Sequence, residues 1–102
     1  MTAGLLIIAH APLASALRQS VLHVFSDGGP HVVALDIDSD RPFEQLLDEA
    51  RSAMAALGTP HTLVLTDVFG ATPCNVAQKL VDGVRARLIA GVNLPMLLRA
   101  MT

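Results

Sequence analysis

His10 closes the apolar run Leu5-Leu6-Ile7-Ile8-Ala9 and leads at once into Ala11-Pro12-Leu13, while Asp67 closes a second such run, Leu63-Val64-Leu65-Thr66. In an open parallel sheet chemistry collects just beyond the carboxyl ends of the strands, so an imidazole and a carboxylate placed there can meet in one crevice. A neutral imidazole nitrogen attacks phosphorus readily, and a carboxylate on the other ring nitrogen fixes the tautomer and stabilises the positive character of the product. Past Asp67 the chain reads Val68-Phe69-Gly70-Ala71-Thr72-Pro73-Cys74-Asn75, a glycine-containing loop that opens a helix. Thr72 is expected as its N-cap and Pro73 as its first helical residue, which leaves the amides around Ala71 to Asn75 unsatisfied. Such an end draws anions without any lysine or arginine, and the Thr72 hydroxyl adds a donor. Together these features point to phosphoryl transfer, which asks a protein mainly for positioning and charge stabilisation. No metal-ligand cluster is evident; no metal or other cofactor is implied when the phosphoryl donor is another phosphohistidine.

The elements that must position these groups are legible in the apolar pattern. Runs of strand length cover Gly4 to Ala9, His31 to Ile37, Thr62 to Thr66 and Arg87 to Ala90. Between them, Leu13, Leu17, Val21 and Phe25 fall on one helical stripe, and Phe43, Leu46, Leu47, Ala50, Met54 and Leu57 on another. Proline stands where each helix should open, at Pro12, Pro42, Pro73 and Pro95. Glycine stands where each should close, at Asp27-Gly28, Gly58 and Asp82-Gly83. Strands alternating with helices over short loops predict an α/β fold: a single domain, residues 1–102, with a mainly parallel four-stranded sheet and helices on both faces.

Composition narrows the function classes. The chain has 102 residues, 52% hydrophobic and only 3% aromatic, so its core must be built from Leu, Val, Ile and Ala. Such a core suits strands buried on both faces. With 7 basic and 9 acidic side chains the net charge is -2, which gives no broad attraction to nucleic acid or to an anionic membrane. The segment Ala3 to Ala9 is too short to span a bilayer and lacks the flanks of a signal peptide, so a cytoplasmic protein is expected. The single cysteine, Cys74, excludes an internal disulfide and any multi-cysteine metal site.

Several residues read as structural. His23 falls within the first helix, and His31 and His61 precede strands, so all three are expected to be solvated or capping groups. Asp36, Asp38 and Asp40 alternate as in a calcium loop, but the required glycine and distal glutamate are missing, and they read as a solvated loop. Asn93 reads as a turn residue before Pro95, and Met54, Met96 and Met101 as fillers. A receiver domain phosphorylated on Asp67 would need an acidic pair after the first strand, where this chain has Ala9-His10. A dinucleotide-binding domain would need a glycine-rich turn there, and Ala9 to Ala14 contains none.

The histidine closing strand one, the stretch Thr66-Asp67-Val68-Phe69-Gly70-Ala71-Thr72-Pro73-Cys74-Asn75-Val76-Ala77 and the stretch Ile89-Ala90-Gly91-Val92-Asn93-Leu94-Pro95-Met96-Leu97-Leu98 are together similar to a known family. They resemble the IIA component of the mannose family of the bacterial phosphoenolpyruvate-dependent sugar phosphotransferase system. The resemblance implies that His10 accepts a phosphoryl group from the phosphocarrier HPr and passes it to a IIB component, with membrane association only through such partners. It implies that Asp67 supports the histidine, that Gly70, Ala71 and Thr72 cradle the phosphoryl group, and that the protein is a homodimer. Cys74 stands where the family commonly has an aromatic residue, a change expected on the partner-facing rim. Family members usually continue beyond the Asn-Leu-Pro-Met-Leu segment, so this chain is expected to lack their C-terminal extension. The alternative reading is a phosphorylation-dependent regulator that receives phosphate from HPr without feeding a transporter.

Overall fold

At the centre of the sheet lies β1 (Ala3–His10), and its sequence explains its place: Leu5 to Ala9 are apolar without a break and buried on both faces. The computed structural model describes residues 3–102. After β1 come α1 (Leu13–Val24), a 3-10 helix (Ser26–His31), β2 (Val32–Ile37), α2 (Phe43–Leu57), β3 (His61–Thr66), α3 (Thr72–Gln78), β4 (Ala86–Ala90) and α4 (Leu94–Ala100). The four strands pair in the order β2-β1-β3-β4, and every pairing is parallel, as the alternating pattern predicts.

Two cores flank the sheet. Leu6, Ile8 and Val64 point to one face, where Leu46, Leu47 and Ala50 of α2 and Val76 and Ala77 of α3 cover them. Leu5, Ile7, Ala9 and Leu65 point to the other, under Ala14 and Val21 of α1 and Leu97 of α4. Each buried Leu, Ile or Val among them contributes about 1.5–3 kcal/mol relative to its exposed state. The chain runs from β1 outward to β2, then crosses back over β1 to β3, and right-handed crossovers therefore place α1 and α2 on opposite faces. The reversal of direction lies between β1 and β3, so their carboxyl ends frame a topological switch point.

Two helix ends and the setting of one aspartate differ from the sequence expectation. The first helix ends at Val24, not at the Asp27-Gly28 pair, and residues 26–31 form a separate 3-10 turn. A Cβ on Gly28 would lie 2.3 Å from Cε of Met101, the far end of a flexible side chain that can move aside. The third helix stops at Gln78, short of Asp82-Gly83. Asp82 instead accepts the amides of Val84, Arg85 and Ala86 at 2.9, 2.8 and 3.1 Å, a turn that launches β4. Asp36, expected in a solvated loop, lies in β2; its carboxylate takes the amide of Ser15 at 3.0 Å and the Ser15 hydroxyl, tying the first turn of α1 to the sheet.

Gly58 closes α2 as expected, in the left-handed region at φ 61°, where an added Cβ would touch nothing within 4 Å. Its requirement is therefore conformational only. Gly58→Ala should lower stability by about 1–2 kcal/mol, read as a lower urea midpoint at an unchanged slope. An unmoved midpoint would mean that the turn relaxes at no cost.

Candidate functional site

His10 is the last residue of β1 and Asp67 the first after β3, so two adjacent parallel strands deliver them side by side at the switch point. The His10 Nδ1 to Asp67 Oδ2 distance is 2.7 Å, and the backbone N–H of His10 donates to the same oxygen at 3.2 Å. A carboxylate has no proton to give, so Nδ1 carries the hydrogen, and in the neutral ring Nε2 is the nitrogen with the free lone pair. The two side chains differ in burial: His10 is 44% exposed and Asp67 only 11%. The ring thus reaches solvent while its orienting partner is largely covered.

Asp67 is held on both oxygens. Its Oδ1 accepts the amide of Val68 at 3.0 Å and lies 3.5 Å from the Thr66 hydroxyl. Burial pushes its carboxyl up, but the hydrogen bonds from the His10 ring, the His10 amide and the Val68 amide outweigh that and hold it below the ordinary 3.8. The anion is therefore the resident form at neutral pH, ready to balance charge on the ring.

The second stretch of the resemblance proves to be a buttress. Gly91, at φ 81°, and Val92 turn their amides back onto β3, the first bonding the carbonyl of Asp67 at 3.1 Å and the second that of Thr66 at 3.0 Å. Asn93 caps α4 through a 2.9 Å bond from the Met96 amide to its Oδ1, and its Nδ2 reaches the Gly91 carbonyl at 3.2 Å. Residues 91–93 thus fix the strand end that presents Asp67. On the other side the Ala11 amide bonds the Ile37 carbonyl at 3.0 Å, fixing the exit from β1.

The loop beyond Asp67 reaches its helix through Gly70, at φ 88°, a value that L side chains rarely adopt. The N-cap is Ala71, not Thr72: the Asn75 amide closes the first helical bond onto the Ala71 carbonyl at 2.9 Å, and Thr72 is already helical. Asn75 is therefore removed from the expected set of free amides, while those of Ala71 and Thr72 find no protein acceptor among the described residues. Releasing Thr72 from capping leaves its hydroxyl free for another partner. Cys74, expected at the rim, is wholly buried and packs inward from α3. The rim carries instead Val68 and Phe69, 55% and 74% exposed, which sequence reasoning passed over. Apolar residues in a strand-to-helix loop were the available signal.

His23 and His61 are exposed, and His31 ends the 3-10 turn away from this site. Met54 packs against the core under α2, and Met96 and Met101 against the core under α4. No helix among the described residues is long and apolar enough to cross a membrane.

A wholly parallel sheet with a carboxylate-oriented histidine at its switch point places an imidazole where it can act as a nucleophile. Residues 4–102 match the EIIA-man family model, described as PTS system fructose IIA component, and the chain belongs to that family of sugar phosphotransferase system components. It is 32% identical over 95 residues to the sorbose-specific EIIA component of Lacticaseibacillus casei, covering 92% of this chain and 68% of that protein. It is 28% identical over 101 residues to the fructose-specific EIIA component of Bacillus subtilis (strain 168), covering 97% and 68%. Among solved structures, the mannose/sorbose specific IIA subunit from Enterococcus faecalis superposes with a TM-score of 0.81 at 27% identity, over 98% of this chain and 76% of that one. The EIIA component from Streptococcus agalactiae, at 24% identity, gives 0.80 over 96% and 75% and supports the fold.

Proposed function

We propose that His10 is the transient phosphoryl carrier of this EIIA domain, taking the group from HPr and passing it to a IIB component. The observation that carries the reading is the 2.7 Å bond between Nδ1 and the part-buried Asp67 carboxylate, which assigns the ring hydrogen to Nδ1 and reserves Nε2 of the neutral ring for attack. In the forward step the Nε2 lone pair attacks phosphorus, the N–P bond of the donor phosphohistidine breaks, and its electron pair stays on the donor ring. Nδ1 keeps its proton throughout, and Asp67 balances the positive character gained by the His10 ring. Donor and acceptor bonds are of the same kind, so the transfer is nearly balanced and reversible. The free amides of Ala71 and Thr72, the Thr72 hydroxyl and the turn at Gly70 are assigned to cradle the phosphoryl oxygens. A homodimer acting in the cytoplasm completes the reading, supported by family membership.

Incubation with phosphoenolpyruvate, enzyme I and HPr should load phosphate that is acid-labile and base-stable. Phosphorus NMR should place it on Nε2, and peptide mapping on the fragment that holds His10. No loading, or loading elsewhere, would overturn the assignment.

A further inference from the structure

We propose that Thr66 is a positioning residue for this reaction, its hydroxyl holding the Asp67 carboxylate in the plane that keeps His10 in the reactive tautomer. The inference deepens the carrier reading and rests on it. Thr66 ends β3, pairs with Ile8 of β1 and Ala90 of β4, and is fully buried. By strand alternation it shares a face with Val64, which packs in the core under α2 and α3. Valine has the same shape and would fill that place without a hydroxyl to satisfy. The hydroxyl has one hydrogen-bond partner among the described residues, Oδ1 of Asp67 at 3.5 Å.

That contact completes a division of labour on the carboxylate. Oδ2 takes both donors of His10, the ring and the amide, while Oδ1 takes the Val68 amide and the Thr66 hydroxyl. The Val68 donor comes from the side where the exposed loop begins; the Thr66 donor comes from the sheet. With only the loop amide on Oδ1, the carboxylate is freer to turn about its terminal torsion, and Oδ2 moves off Nδ1. The ring can then place its proton on Nε2, the atom that must attack. At 3.5 Å the bond stands at the outer limit of reach, and such bonds in empty sites tighten as charge develops. The Thr66 carbonyl, held by Val92, has a separate role that a side-chain change leaves alone.

The test compares Thr66→Val and Thr66→Ser in the full chain. Nitrogen-15 shifts of the His10 ring, recorded without any phosphoryl donor, report the tautomer; rapid-quench transfer from phospho-HPr reports the rate. Thr66→Val should add the Nε2–H tautomer and slow loading about 2- to 10-fold, the range set by one hydrogen bond. Thr66→Ser should restore both. The proposal is overturned if the valine variant matches wild type in either readout, or if serine is as impaired as valine, since the missing methyl would then be the cause. Should valine prevent folding, Thr66→Ala replaces it against serine with the same outcomes. Failure of wild-type protein to load phosphate sinks the carrier reading yet leaves the ring-nitrogen comparison intact, so the two failures are distinguishable.

Discussion

Replacing His10 by alanine should abolish phosphoryl acceptance while leaving the domain folded. No second imidazole is equipped to substitute: among the described residues only His10 is paired with a carboxylate, whereas His23 and His61 lie on the surface and His31 ends the 3-10 turn. The His10 side chain is 44% exposed, so its removal opens no cavity in either core. The backbone N–H of residue 10 survives the substitution and can keep its 3.2 Å bond to Asp67, which preserves the register of the strand ends. The expected result is loading at background with a urea midpoint close to wild type. Acid-labile label persisting in His10→Ala at the wild-type level would show that another residue carries the phosphate.

Asp67→Asn should be the second most damaging change, slowing loading on the order of 10²–10⁴-fold, as seen where a carboxylate that fixes a histidine tautomer becomes an amide. The amide can offer an N–H to the imidazole and so favour the unreactive tautomer, and it supplies no charge to balance the phosphorylated ring. The pH dependence of stability follows from the same carboxyl. Its folded value lies below the unfolded 3.8, so its contribution is fully present above that value and is lost as pH falls through the lower, folded one. The stability gap between wild type and Asp67→Asn should therefore stay level from neutral pH to about 4 and close only below it. A gap that closes between pH 7 and 5 would show that the hydrogen bonds do not hold the anion.

The parallel sheet and its order of helices could be read from residues alone, because unbroken apolar runs such as Leu5 to Ala9 need cover on both sides and short connections leave few ways to provide it. The meeting of His10 and Asp67 was legible for a related reason: both end strands, and strand ends on one edge of a small sheet have few places to go. What the sequence concealed depends on which neighbour each group meets once the chain has folded. Whether Thr72 or Ala71 caps α3 is decided by which carbonyl the Asn75 amide finds. The alternating Asp36, Asp38 and Asp40 look equivalent, yet only Asp36 remains within a strand and meets Ser15. Cys74 resembles a rim residue in linear order, but it lies on the face of α3 that is wholly buried. Glycine at position 91 likewise gave no hint that its amide would reach back to residue 67.

That last bond sets an order on biosynthesis. While the ribosome is still translating the segment before Gly91, the carbonyls of Thr66 and Asp67 have only water to bond, and the strand end that bears the carboxylate is unsupported. Because β4 ends at Ala90, one residue before Gly91, the emerging polypeptide completes its edge strand and the support of the Asp67 strand end almost together, through a corner that contains no reactive group of its own.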